Sequence, residues 1–104
     1  MKVAGRVAIV TGGGGGIGGA LAEELVARGA WVVVADLDAA DARAVTDRIN
    51  AASPGSAVAA GADVSDTSVI RGLIALAEQQ FGPVDLYFAN AGVVCPVSFN
   101  ESAC

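Results

Sequence analysis

Of the eight positions from Gly12 to Gly19, seven are glycine, and the run stands between a β-branched stretch, Val7 to Val10, and a segment of helical periodicity. Glycine loses more backbone freedom on folding than any other residue, so a folded chain that keeps so many together gains something a side chain would obstruct. A bare loop between a strand and a helix start lets backbone N–H groups converge on an anion at the positive end of the helix dipole. The run therefore predicts a phosphate-binding turn.

Around it, short apolar runs alternate with longer periodic segments. Ile17, Leu21 and Leu25, with Val26 alongside, have helical spacing, and Gly29 stands where a helix-ending glycine is expected. Ala30 to Asp36, AWVVVAD, reads as a strand covered on both faces, because its apolar residues do not alternate with polar ones. Asp38 is placed to cap a helix from about Ala39 to Ala52, with Val45 and Ile49 on one face. Ser53 to Ser56, SPGS, is a turn by composition, and Ala57 to Ala62 a weaker, alanine-rich strand. Asp66 or Thr67 starts a further helix with one stripe at Ile70, Ile74, Ala77 and Phe81 and a second at Val69, Leu73 and Leu76; Gly82 and Pro83 end it. Val84 to Asn90 is the fourth strand.

This βαβαβαβ order, with connections long enough for right-handed crossovers, predicts an α/β domain: a Rossmann-type doubly wound parallel sheet, partial, of about four strands in the order 3-2-1-4 with three helices. A ligand is expected in the crevice between the first and fourth strands, lined by Gly12 to Gly18 and by Asn90 to Gly92.

Composition bounds the function. The 104 residues are 54% hydrophobic and 16% charged, which fits one compact domain with a modest core. The longest aliphatic run, Ala30 to Ala35, is far short of the roughly 20 residues that cross a bilayer, and the first residues carry no cleavage pattern of a signal peptide. No membrane partner and a cytoplasmic location are expected. A net charge of −5 has the wrong sign for tracking phosphates along nucleic acid, so no nucleic-acid partner is expected. Cys95 and Cys104 have no CxxC spacing and the chain has no histidine, so no metal site is expected and the thiols read as incidental in a reducing compartment.

Glycines alone leave the register of the loop open, since Gly13, Gly15 and Gly18 satisfy GxGxxG and so do Gly14, Gly16 and Gly19. A P-loop is excluded by the missing lysine, as Gly19 and Ala20 follow Gly18. Asp36 points to a dinucleotide. It ends the second strand 20 positions after Gly16, about the distance at which a carboxylate accepts hydrogen bonds from the adenosine ribose. A carboxylate about 4 Å from a ribose 2′-phosphate repels it by roughly 1 to 4 kcal/mol per unit charge. The glycine loop holds no Lys or Arg and the residue after Asp36 is Leu37, so NAD is expected in preference to NADP. As a strand end, Asp36 could also be merely solvated or cap the next helix, a role Asp38 can fill.

Taken together these residues resemble the short-chain dehydrogenase/reductase family. Thr11 to Gly18, TGGGGGIG, is similar to that family's TGxxxGxG cofactor loop; Ala62 to Asp66, ADVSD, to its Asp-Val after strand 3; and Ala89 to Gly92, ANAG, to its NNAG element after strand 4. The resemblance sets the loop register on Gly12, Gly16 and Gly18. It implies cofactor contacts from Gly12, Gly16, Ile17 and Gly18, from Asp36 and Leu37, from Asp63 to the adenine amino group and Val64 to the ring, and from Asn90, Ala91 and Gly92 on the adenosine side. Ala89 replaces the first Asn of NNAG, so that position has no side-chain amide to donate.

The family's activity is hydride transfer between nicotinamide and an alcohol or carbonyl carbon, with a Tyr as general acid/base, a Lys four positions later and a Ser that orients the substrate. The one tyrosine, Tyr87, is followed four positions on by Ala91, and the one lysine is Lys2, so no catalytic residue is assigned and the 104 residues alone are expected to be inactive. Residues 1–92 read as an NAD-binding half-domain and 93–104 as the start of the next segment. Strand 4 would be an apolar open edge. The expectation is an NAD-dependent oxidoreductase acting on a small-molecule substrate and seen as its amino-terminal half, homo-oligomeric when full length. The alternatives are a stand-alone NAD-binding or sensing module without catalysis, or a truncated product that neither folds nor binds.

Overall fold

β-branched residues build the middle of the sheet. β1, Val7–Thr11, is buried along its whole length, and β2, Trp31–Asp36, is buried from Val32 to Ala35. The computed structural model describes residues 3–12, 14, 16–63, 66–89 and 93–96, so Val64, Asn90, Ala91 and Gly92 of the expected cofactor set lie outside the described residues. The remaining elements are α1 (Gly16–Ala27), α2 (Ala39–Ala52), β3 (Ala57–Gly61), α3 (Thr67–Gln80), β4 (Leu86–Ala89) and β5 (Val93–Pro96).

The four strands β3, β2, β1 and β4 are parallel neighbours in that order, as expected for a doubly wound half. One expectation fails. β5 pairs antiparallel with β4, Ala89 opposite Val93 and Leu86 opposite Pro96, so β4 is not an open edge. The added strand satisfies backbone groups that a bare edge would leave to solvent or to another chain, and Pro96, with no N–H to donate, lies on the outer strand, where proline is tolerated.

Both faces of the sheet are covered, which is why β2 shows no alternation. Ala8, Val10, Val32 and Val34 pack under α1 and α2, through Ala22, Leu25, Val26, Val45 and Ile49. Val7, Ile9, Val33 and Ala35 pack under α3, through Leu73 and Ala77. Of these, Ile9, Val10, Val32, Val33 and Val34 are the largest fully buried side chains, each worth about 1.5 to 3 kcal/mol of apolar transfer.

Local signals set the helix ends. Asp38 caps α2 by accepting from the N–H groups of Ala40 and Asp41, and Asp66 caps α3 by accepting from Ser68. α1 ends in paired bonds from Gly29 N–H to the Val26 carbonyl and from Ala30 N–H to the Leu25 carbonyl. Asn50 closes the turn after α2, its side chain donating to the Ala57 carbonyl and accepting from the N–H groups of Ser56 and Ala57. Trp31, 44% exposed at the start of β2, leans on Phe81 beyond the end of α3, with ring centroids 5.5 Å apart. Among the described residues no helix is long and apolar enough to cross a membrane.

Candidate functional site

The loop after β1 turns at Gly12, whose φ of +65° lies in the region that disfavours a side chain. α1 begins four residues later at Gly16, with no acidic residue in its first turn, so nothing on the helix neutralises the positive end of its dipole. Gly16 is exposed, and a Cβ there would meet no atom within 4 Å, so its bare face opens outward. Gly18 is buried, like Gly19 and Ala22, and lets α1 approach the sheet. A positive helix end, open in front and close-packed behind, suits an anion that must come close to the backbone.

Asp36 stands at the end of β2 beside this loop. Its Oδ2 accepts from the N–H of Gly14 at 3.0 Å and its Oδ1 from the N–H of Asp38, also at 3.0 Å. Asp38 itself is occupied as the cap of α2, so Asp36 does not fill that role. The carboxylate is therefore held at the rim of the loop by two backbone donors. Leu37, 77% exposed, and Ile17, 84% exposed, present apolar side chains at this rim. They are two of three large hydrophobic residues so exposed among the described residues, the third being Trp31 at the other end of β2. Asp63 follows close by, because the Ala62 N–H donates to the Asp36 carbonyl at 2.8 Å; Asp63 is exposed and its carbonyl accepts from Asp66 N–H.

A crevice lies between β1 and β4; of the lining expected for it, Ile17 and Gly18 border it, while Asn90, Ala91 and Gly92 lie outside the described residues. Thr11 from β1, Phe88 and Ala89 from β4, and Ile17, Gly18 and Leu21 from α1 line it. Ile17, Leu21 and Leu25 fall on α1 as their helical spacing predicts: Leu25 is buried, Leu21 is half-buried between the core and the crevice wall, and Ile17, implied as a cofactor contact, is exposed at the crevice. The buried face of α1 combines Leu25 and Val26 with Gly18, Gly19 and Ala22, and periodicity weighted by large apolar side chains finds the first two and misses the small residues. From sequence Thr11 stood out only as the start of the loop motif, Leu21 only for its helical spacing and Phe88 not at all, although the carboxyl ends of adjacent parallel strands must border such a crevice.

Tyr87 packs, half-buried, against the α3-side core. Burial pushes its phenol above the usual tyrosine range, with a weaker opposing effect from a hydrogen bond to Thr11. Its place in β4 against that core gives Tyr87 a part in packing.

A family model described as short chain dehydrogenase matches residues 6–103. The chain belongs to the short-chain dehydrogenase family. Relatives in this family include an uncharacterised oxidoreductase of Methylorubrum extorquens, 47% identical over 93 residues that make up 88% of this chain and 37% of the relative. A 2,5-dichloro-2,5-cyclohexadiene-1,4-diol dehydrogenase of Sphingobium indicum is 36% identical over 102 residues, 98% of this chain and 40% of the relative. Among solved structures, the 3-ketoacyl-(acyl-carrier-protein) reductase of Brucella melitensis, complexed with NADH, superposes with a TM-score of 0.74 at 34% identity, covering 82% of this chain and 34% of that one. The chain thus spans about two-fifths or less of the length of these short-chain dehydrogenases.

Proposed function

We propose that the chain supplies the cofactor site of an NAD(H)-dependent oxidoreductase that interconverts an alcohol and a carbonyl. The observation that carries this reading is the Asp36 carboxylate, held by the N–H groups of Gly14 and Asp38 at the rim of an anion-suited loop. Each oxygen keeps lone-pair capacity for a ribose hydroxyl, and the negative charge disfavours a 2′-phosphate. Leu37 and Ile17 offer exposed apolar surface, and Gly16, with open space where a Cβ would stand, keeps the backbone accessible to the pyrophosphate. Asp63 accepts from the adenine amino group, with Val64 and the segment Asn90, Ala91 and Gly92 completing the adenosine side. Bound there, the nicotinamide cofactor supplies or removes a hydride at the substrate carbon.

The relatives support the substrate class, since one is a diol dehydrogenase and another a ketoacyl reductase crystallised with NADH. No Lys stands four positions after Tyr87, so the acid/base group is assigned to the part of the full-length protein that corresponds to the remaining length of its relatives. Calorimetric titration of the full-length protein with NAD and NADP tests the reading. Tighter NAD binding is expected, with Asp36→Ala narrowing the difference by about tenfold or more. Equal or tighter NADP binding, or an Asp36→Ala variant with the same ratio, would overturn it.

A further inference from the structure

Two glycines of the loop are bare for different reasons. At Gly16 a Cβ would enter open space, whereas at Gly14 it would stand 2.7 Å from the Cβ of Asp41, 3.0 Å from the Asp41 carbonyl carbon and 3.0 Å from Oδ2 of Asp36. The Asp41 atoms belong to the first turn of α2, which is tied down by the Asp38 cap. They cannot give way as the far end of a flexible side chain would. A side chain at position 14 therefore either lifts the loop off Asp36 or displaces the start of α2.

We propose that Gly14 is a positioning residue for cofactor choice: by bonding Oδ2 of Asp36 it pins the carboxylate toward the adenosine ribose. The inference rests on the NAD(H) reading above and extends it to a residue that contacts Asp36 rather than cofactor. A carboxylate on a free side chain can rotate away from a 2′-phosphate and relieve the repulsion. With Oδ1 on Asp38 N–H and Oδ2 on Gly14 N–H, rotation of Asp36 breaks two charge-assisted hydrogen bonds. Selectivity against the phosphorylated cofactor thus depends on position 14 remaining glycine as well as on the charge of Asp36.

The test compares dissociation constants for NAD and NADP in the full-length wild-type protein, Gly14→Ala, and Gly14→Ala combined with Asp41→Gly. Gly14→Ala is expected to weaken NAD binding by about tenfold or more, the loss of a hydrogen bond to a charged group, and to weaken NADP less, so the selectivity ratio falls. Asp41→Gly removes the Cβ closest to the new methyl and is expected to move the ratio back toward wild type. A general loss of loop structure would weaken both nucleotides alike and would not be rescued. A wild-type preference for NAD that survives Gly14→Ala, or a fallen ratio that Asp41→Gly does not raise, overturns the positioning role alone; a wild type without NAD preference overturns it together with the reading beneath it. If Gly14→Ala does not fold, the Gly14 amide proton resonance decides. Asp36→Asn is expected to move it upfield by more than the Gly18 amide, and an unmoved resonance overturns the proposal.

Discussion

Thr11 and Phe88 join the two strands that border the crevice: the Thr11 hydroxyl donates to the Phe88 carbonyl at 3.2 Å. They are 77 positions apart, and the bond spans the place where the strand order reverses. Thr11→Val keeps the shape and removes the donor. It is expected to lower stability by about 1 kcal/mol, read from urea unfolding, and an unchanged midpoint would count against this bond as a clamp between β1 and β4.

Ile17 lies at the crevice on α1, where the family resemblance implied a cofactor contact. Because it is 84% exposed, Ile17→Ser is expected to change unfolding stability by no more than about 0.5 kcal/mol while weakening NAD binding. A large stability loss with unaltered binding would place Ile17 on the packed face.

Asn50 satisfies three backbone groups between α2 and β3. Asn50→Ala leaves all three without that partner and is expected to cost about 1 to 3 kcal/mol, which thermal or urea unfolding measures. A loss below a few tenths would mean that water replaces the side chain without penalty.

The Asp66 carboxyl is held below the ordinary aspartate range, first by the Ser68 hydroxyl at 2.8 Å and then by the Ser68 N–H at 2.9 Å, against desolvation and the negative charge of Asp63. A lowered folded-state value means that this cap's contribution is complete above the unfolded-state range and disappears as pH falls through the lowered value. Ser68→Ala is expected to raise the Asp66 titration midpoint toward the ordinary value, followed by carbon NMR of the carboxyl. A midpoint that stays in place would remove the hydroxyl as the principal cause.

Much of the fold was legible because its signals are local. Asp38 and Asp66 cap the helices they precede, Gly29 ends α1, and the β-branched run before the loop becomes β1, since capping and backbone preference act over a few residues. The end of β4 was less legible. Whether an apolar strand stays an edge depends on where the following chain turns, and β5 returns along it in antiparallel register.

By itself the sequence determined the alternation of strands and helices, the side-chain-free loop and the presence of a carboxylate at the end of β2, because each is written in contiguous residues. Only the tertiary structure decided what these do together. The crossover from β1 through α1 to β2 returns Asp36 to Gly14 across 22 positions, and the close approach of α2 leaves no room for a Cβ between them. Ile17 is likewise exposed because α1 buries Gly18, Gly19, Ala22, Leu25 and Val26 instead. Such relations arise from steric fit between elements distant in sequence, and no local period or propensity encodes them.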